Sequence, residues 1–316
     1  LLTPFGSDDI HVPEAFRLML AQSPLPVAPA SPHLFTVDVE DYFQVVAFER
    51  AVDRASWDRY PSRVVANTDR LLDLLERRGV RGTFFTLGWV GRRFPDLVRR
   101  IAARGHEVAS HGHWHRRVTT LSAAEFREDI RESKAVLEDA SGQACVGFRA
   151  PSFSIVPGLE WVFDVLLEEG YRYDSSLFPI RRPDYGYPAA LETPCFIRRA
   201  AGTLLEFPMA TTRLAGLRLP AAGGGYLRQF PYGVIRRAFR VWGDRGVSAT
   251  FYIHPWEYDA DQPRLPCGRL TALRHYRNLG RTWGLLERLL GEFRFTSIRD
   301  RFVDHLGAPA TREAVG

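Results

Sequence analysis

From residue 34 onward, short runs of β-branched and aromatic residues alternate with stretches whose apolar residues recur at helical spacing. That alternation constrains the fold more than any other feature, because strand-then-helix units stack into a parallel sheet with helices outside it. Leu34 to Val39 reads as the first strand. Val64, Thr68, Leu71, Leu72 and Leu75 form one face of a helix stopped by Gly79. Thr83 to Leu87 reads as a buried strand, Phe94 to Ala103 as a helix ending at Gly105, and His106 to Ser110 as a strand. Ser122 and Glu125 have capping-box spacing and open a helix running to about Asp139. Cys145 to Arg149, Leu159 to Glu169 and Tyr171 to Asp174 continue as strand, helix and strand. Pro179 to Gly225 is less regular. The pattern resumes with a helix from about Tyr232 to Asp244 and a strand from Ser248 to His254. A long helix from about Leu270 to Leu290 and a strand from Phe295 to Ile298 complete it. At least six such units without a break in composition predict one parallel α/β barrel rather than two domains. Residues 21–32 have the Pro/Ala content of an extended linker. Residues 1–32 are therefore set apart as an N-terminal extension, 33–306 as the globular unit and 307–316 as a tail.

With 316 residues, 45% hydrophobic and 25% charged, the chain has material for a large core, and disordered, collagen-like and coiled-coil architectures are excluded. No apolar run approaches the roughly 18 residues of a bilayer-spanning helix, so no transmembrane segment is expected. The net charge of +5 comes from 42 basic and 37 acidic residues, and Lys134 is the only lysine. The arginines are scattered among acids, which predicts a solvated surface and no nucleic-acid partner. Cys145, Cys195 and Cys267 are far apart, odd in number and without CxxC spacing, so neither a disulfide framework nor a cysteine zinc site is supported. Leu1 to Pro32 shows no basic-then-apolar signal pattern, and cytoplasmic and envelope-associated locations both stay open.

In a parallel barrel, reactive residues gather at the C-terminal ends of the strands. Four expected strands end in residues that a purely structural strand does not choose: Asp38-Val39-Glu40-Asp41, Ser110 to His115, Arg149-Ala150-Pro151 and His254-Pro255-Trp256. His111 and His115 are four apart, so one helical turn would put both imidazoles on one face, as a metal pair requires. The same spacing fits a solvated loop that also contains His113. On an extended strand Asp38 and Glu40 face the same side, and Asp41 begins the following loop. One of these acids can bind a cation while another acts as general base, or the run can be a capping turn. Arg149 at a buried strand end requires a carboxylate, and Asp38 is a natural partner. His254 is a candidate general acid or a satisfied structural histidine. Phe153, Leu177, Phe178 and Trp256 are candidates for an apolar wall or for plain core.

Taken in order, these motifs resemble those of the polysaccharide deacetylases with a NodB-homology domain, carbohydrate esterase family four, from about His33 to Asp304. The acidic motif corresponds to Phe35 to Asp41, the SHxxxH metal motif to Ser110 to His115, and the R-x-P motif to Arg149-Ala150-Pro151. The Asp-x-Ser pocket motif corresponds to Asp174-Ser175-Ser176, and the final leucine-x-histidine motif to Tyr252-Ile253-His254 with the apolar residue shifted by one. The VDVEDYF opening, Gly223-Gly224-Gly225-Tyr226 and the HPWEYD run at His254 to Asp259 resemble the exosortase-associated branch of bacterial exopolysaccharide clusters. The resemblance implies a distorted, incomplete (β/α) barrel, a single domain with a family-specific C-terminal extension from about residue 195.

The common family pattern has two adjacent aspartates, a base and then a ligand, but Val39 follows Asp38 here. An Asp-x-Asp arrangement would make Asp38 the base and Glu40 the ligand, with Asp41 as the alternative ligand. The resemblance further implies a divalent metal, zinc above all, held by Glu40 or Asp41 together with His111 and His115. Asp38, oriented by Arg149, would be the base and His254 the acid. Phe153, Asp174, Ser175 and Trp256 would touch an N-acetylated polysaccharide, in association with an exopolysaccharide biosynthesis machinery. Two rival readings remain: a related metal-dependent amidohydrolase for a small non-sugar amide, and a catalytically inactive carbohydrate-binding protein.

Overall fold

A computed structural model describes residues 21–25, 31–182, 185–214 and 216–306. In chain order its elements begin with β1 (Ala21–Pro24), β2 (His33–Val39), α1 (Val64–Arg78), β3 (Thr83–Thr86), α2 (Gly88–Arg93), α3 (Pro95–Ala103) and β4 (Glu107–Ser110). Next come α4 (Ala123–Ser141), β5 (Gly147–Phe148), α5 (Trp161–Glu168), β6 (Tyr173–Asp174), β7 (Cys195–Arg199), β8 (Gly202–Glu206), β9 (Thr211–Leu214) and β10 (Leu217–Pro220). The chain continues through α6 (Gly224–Gln229), α7 (Tyr232–Asp244), β11 (Thr250–Ile253), α8 (Arg269–Tyr276), α9 (Leu279–Glu292), β12 (Phe295–Thr296) and α10 (Ile298–Leu306).

The main sheet runs β1-β7-β8-β6-β5-β4-β3-β2-β11, with β12 also on β2. From β8 to β11 every neighbouring pair is parallel, while β7 and β1 add antiparallel. A single parallel bridge from Met209, just beyond β8, to Thr250 of β11 joins the two ends of the parallel run and closes a distorted barrel. β2 is buried along its whole length, as a strand covered on both faces must be. Its side chains alternate: Leu34 packs with Phe85, Ala109, Tyr173 and Leu205, whereas Phe35, Val37 and Val39 join the cluster that includes Leu71, Leu75 and Ile101 of α1 and α3. Each large apolar side chain so buried contributes roughly 1.5–3 kcal/mol. The same period of two carries Thr36 and Asp38 onward on the Leu34 side, so the acid reaches the C-terminal mouth of the barrel.

Local signals act as their residues dictate. Gly79 ends α1 in the left-handed region (φ 61°), and α4 opens with both hydrogen bonds of the Ser122–Glu125 capping box. Three expectations are corrected. Ala21–Pro24, read as linker, is a strand paired with β7; residues 1–20 and 26–30 and the 307–316 tail lie outside the described residues. The irregular stretch holds β7 to β10, whose burial is uneven because they lie at the margin of the sheet or in a separate hairpin. The long helix is two, broken where Arg277 is extended and Asn278 takes φ 61°. Among the described residues no helix is long and apolar enough to cross a membrane, and Cys145, Cys195 and Cys267 are unpaired.

Candidate metal centre and active site

The C-terminal ends of β2, β4, β5 and β11 deliver Asp38 and Glu40, His111 and His115, Arg149, and His254 to one place. Ligand atoms of Glu40, His111 and His115 all lie within 4.8 Å of one another, and all three residues are buried. The histidines converge through a loop rather than the helical turn expected from their spacing. Gly112 (φ 74°) and His115 (φ 49°) both occupy the left-handed region, bending the chain after β4 so that the rings meet at 5.3 Å.

Nδ1 of His111 is 2.9 Å from the Arg149 carbonyl, which can only accept; the ring proton therefore sits on Nδ1 and the Nε2 lone pair is left available. Burial holds the His111 pKa down at about 4, so the ring is neutral near pH 7, as a ligand must be. Nε2 of His115 and Oε2 of Glu40 are 2.7 Å apart, yet that oxygen makes no hydrogen bond, and Nδ1 of His115 also has none. Buried polar atoms so placed lack the partners that native interiors normally supply. A cation shared by two imidazoles and a carboxylate fits the donor set and accounts for the orphaned oxygen. Burial pushes Glu40 up, but the imidazoles of His115, His254 and His111 outweigh it and hold the carboxyl at about 2.

Arg149 is fully buried beneath this cluster. Its Nη1 donates to Asp38 Oδ1 (2.6 Å) and Thr36 Oγ1 (2.8 Å), Nε to the Ser175 carbonyl and Nη2 to Ser175 Oγ. A buried guanidinium satisfied on every side fixes one oxygen of Asp38 and leaves Oδ2 facing His254 Nε2 at 3.7 Å. His254 Nε2 also lies 3.5 Å from Glu40 Oε1, and its Nδ1 meets Glu257 Oε2 at 3.1 Å. Burial lowers the His254 pKa, but Glu40, Glu257 and Asp38 together raise it to about 9, so the imidazolium persists at neutral pH. Trp256 donates from Nε1 to Glu40 Oε1 (3.2 Å) and is sandwiched between His254 and His275. Phe153, in the left-handed region with Ser152 (φ 53° and 56°), lies edge-on to Tyr252 and over the Arg149 guanidinium.

Two expected placements are corrected, those of Asp41 and of Asp174 with Ser175, while Leu177 and Phe178 follow the core reading and His113 the reading that turns it away from the ligands. Asp41 is not at the cation site: its Oδ2 accepts from Ser62 Oγ and from the backbone N–H groups of Arg63 and Val64, capping α1 from a distance. Asp174 and Ser175 are fully buried and cannot touch a polymer. Asp174 is bound to Ser176 and faces Glu206 across the β6–β8 ladder, and Ser175 serves Arg149. Leu177 and Phe178 are core. His113 is buried rather than solvated and points away from the cluster, close to Gly88 and 3.7 Å from Glu132. Glu257 is the principal residue that sequence reasoning passed over, although H-x-x-E spacing was visible. Its Oε2 takes both the backbone N–H and the ring of His254.

Residues 54–161 match the polysaccharide deacetylase family, and residues 175–303 match a second family described as a domain of unknown function (DUF3473). A peptidoglycan-N-acetylglucosamine deacetylase of Bacillus cereus is 33% identical over 95 residues, 30% of this chain and 34% of that protein. A chitooligosaccharide deacetylase of Rhizobium leguminosarum bv. trifolii is 38% identical over 79 residues, 25% of this chain and 37% of that protein. The chain thus spans about a third of the length of these relatives. A Mycobacterium smegmatis structure named as a polysaccharide deacetylase superimposes with TM-score 0.57 at 19% identity, covering 89% of this chain and 95% of that one. PuuE allantoinase gives 0.58 at 16% identity, covering 92% and 96%. At these identities the likeness is one of fold, a distorted (β/α) barrel.

Proposed function

Because this chain belongs to the polysaccharide deacetylases with a NodB-homology domain, carbohydrate esterase family four, we propose that it hydrolyses N-acetyl groups from amino sugars of a polysaccharide with the aid of a divalent cation. The observation that supports this most is the convergence of Glu40, His111 and His115 beside a second carboxylate, Asp38, and an imidazole, His254, whose carboxylate neighbours favour its protonated form. Glu40, His111 and His115 would hold a divalent cation (zinc suits two imidazoles and one carboxylate), which would supply a water of lowered pKa and polarisation of the acetyl carbonyl.

The remaining work falls to the chain. Arg149 holds Asp38 Oδ1, and Oδ2 takes the proton of the attacking water. Glu257 fixes Nδ1 of His254, so Nε2 faces Asp38 and Glu40 and gives its proton to the departing sugar amine. The C–N bond breaks, and acetate and a free amino sugar leave. Trp256 holds Glu40 Oε1 through its indole N–H, and Phe153 lies over the Arg149 guanidinium. An exopolysaccharide as substrate, and association with the machinery that makes it, is the finer reading; it rests on the VDVEDYF and HPWEYD segments.

Elemental analysis of the purified chain, combined with acetate release from N-acetylated oligosaccharides, tests the proposal. The expected result is stoichiometric metal and acetate release, both lost in His111→Ala. Full activity in that variant, or turnover of small cyclic amides with no acetate from any glycan, overturns it.

A further inference from the structure

Many arginines of the described surface are paired with carboxylates, as Arg92 is with Glu132, Arg104 with Asp73 and Arg131 with Glu169. Among the described residues, the surface around α8 carries no such pair, against the expectation that basic and acidic residues are interleaved throughout. Between Asp261 and Glu287 the chain has no acidic residue. Arg264, Arg269, Arg274, Arg277 and Arg281 are all exposed there, and none forms an ion pair among the described residues. The same stretch carries Leu270 and Leu273, 59% and 56% exposed.

Helix geometry groups these residues. With about 100° between successive positions, Arg269 and Leu273 stand in one row of α8 and Leu270 and Arg274 in the next, a mixed cationic and apolar face. The opposite side is anchored: His275 is buried, stacked on Trp256 at 4.3 Å and edge-on to Phe48 at 4.7 Å. The backbone carbonyls of Arg274 and His275 accept from the buried Arg228. The face is therefore held rigidly beside the cation site, because Trp256 also donates to Glu40. It belongs to the part of the chain matched only by the domain of unknown function.

We propose that α8 and the segment leading into it dock on an anionic lipid surface, with the arginines at the phosphates and Leu270 and Leu273 in the acyl boundary. Unpaired arginines alone would suit any polyanion. Two leucines more than half exposed between them suit an interface that is apolar just beneath its charge. Docking there would bring the chain to polymer at that surface.

Co-sedimentation of the full chain with vesicles tests this, using phosphatidylcholine alone and phosphatidylcholine mixed with phosphatidylglycerol. Binding to the mixed vesicles alone is expected. Leu270→Ser/Leu273→Ser and Arg269→Glu/Arg274→Glu are each expected to weaken it by about tenfold or more. Both variants should keep the wild-type thermal transition and, on a soluble oligosaccharide, wild-type acetate release. No binding to mixed vesicles by the folded wild type overturns the proposal. So does a leucine variant that binds as well as wild type while the arginine variant does not, the outcome expected of a soluble polyanion partner.

Discussion

The indole nitrogen of Trp256 lies 3.2 Å from Oε1 of Glu40, a hydrogen bond that spans 216 positions of sequence. It ties the loop after β11 to the carboxylate at the end of β2, and leaves the other oxygen of Glu40 to face His115. Outer hydrogen bonds of this kind orient a ligand and tune its affinity. Trp256→Phe keeps a ring between His254 and His275 but removes the donor. The expected result is a fold stability near wild type and zinc affinity lower by about 10–100-fold, read by competition with a chromophoric chelator. Wild-type affinity would show that Glu40 is held by other means.

Gly224 has a similar bearing on the proposed acid. A Cβ there would overlap Oε2 of Glu257, the atom that receives both the backbone N–H and the ring of His254. A Cβ on Gly225 would meet Oε1 only at 3.5 Å, an ordinary contact. Gly224→Ala should therefore displace Glu257 and lower kcat about a hundredfold with little change in KM or bound metal, whereas Gly225→Ala stays close to wild type. Steady-state acetate release from both variants decides it; equal kcat values would rule out Glu257 as the orienting group.

Much of this was legible because polar residues at the ends of buried strands have no structural excuse. Asp38, His111, His115, Arg149 and His254 each stood out in that way, and all five meet. Asp41 could not be told from Glu40 in sequence, since both follow the same strand. Only the fold brings Ser62 and the first turn of α1 against Asp41 and so removes it from the cluster. Asp174 and Ser175 matched a pocket motif, yet β6 is two residues long and lies in the barrel wall, which buries them. β7 and β8 escaped because marginal strands with uneven burial give no clean alternation.

The break between α8 and α9 rests on one residue that periodicity overlooked. Asn278 takes φ 61° and donates from Nδ2 to the Arg228 carbonyl at 2.9 Å. Left-handed backbone costs an ordinary L-residue about 1–2 kcal/mol, and asparagine tolerates it better than most. Urea denaturation should rank the variants Asn278 above Asn278→Gly above Asn278→Ala, with alanine lower than wild type by about 2 kcal/mol. An alanine variant as stable as wild type would mean that the two helices merge without penalty.

Acid lability should follow from two histidines far from the proposed chemistry. Burial holds His33 and His106 at about 4, against an ordinary value of 6.5. Each uses Nδ1 as an acceptor, from the backbone N–H of Ala249 and of Gly82 respectively, so protonation would abolish a buried hydrogen bond. Between pH 6.5 and about 4 the unfolded chain binds protons that the folded chain refuses, and stability rises with pH wherever that holds. The full stability is present above pH 6.5, falls as the pH drops towards 4, and the loss levels off below it. At 1.36 kcal/mol per pKa unit, each histidine accounts for at most about 3 kcal/mol. His33→Gln can still accept from Ala249 but does not titrate. Its unfolding free energy should therefore fall less than that of wild type between pH 7 and pH 5, measured in urea at both values; an unchanged difference would remove His33 from the account.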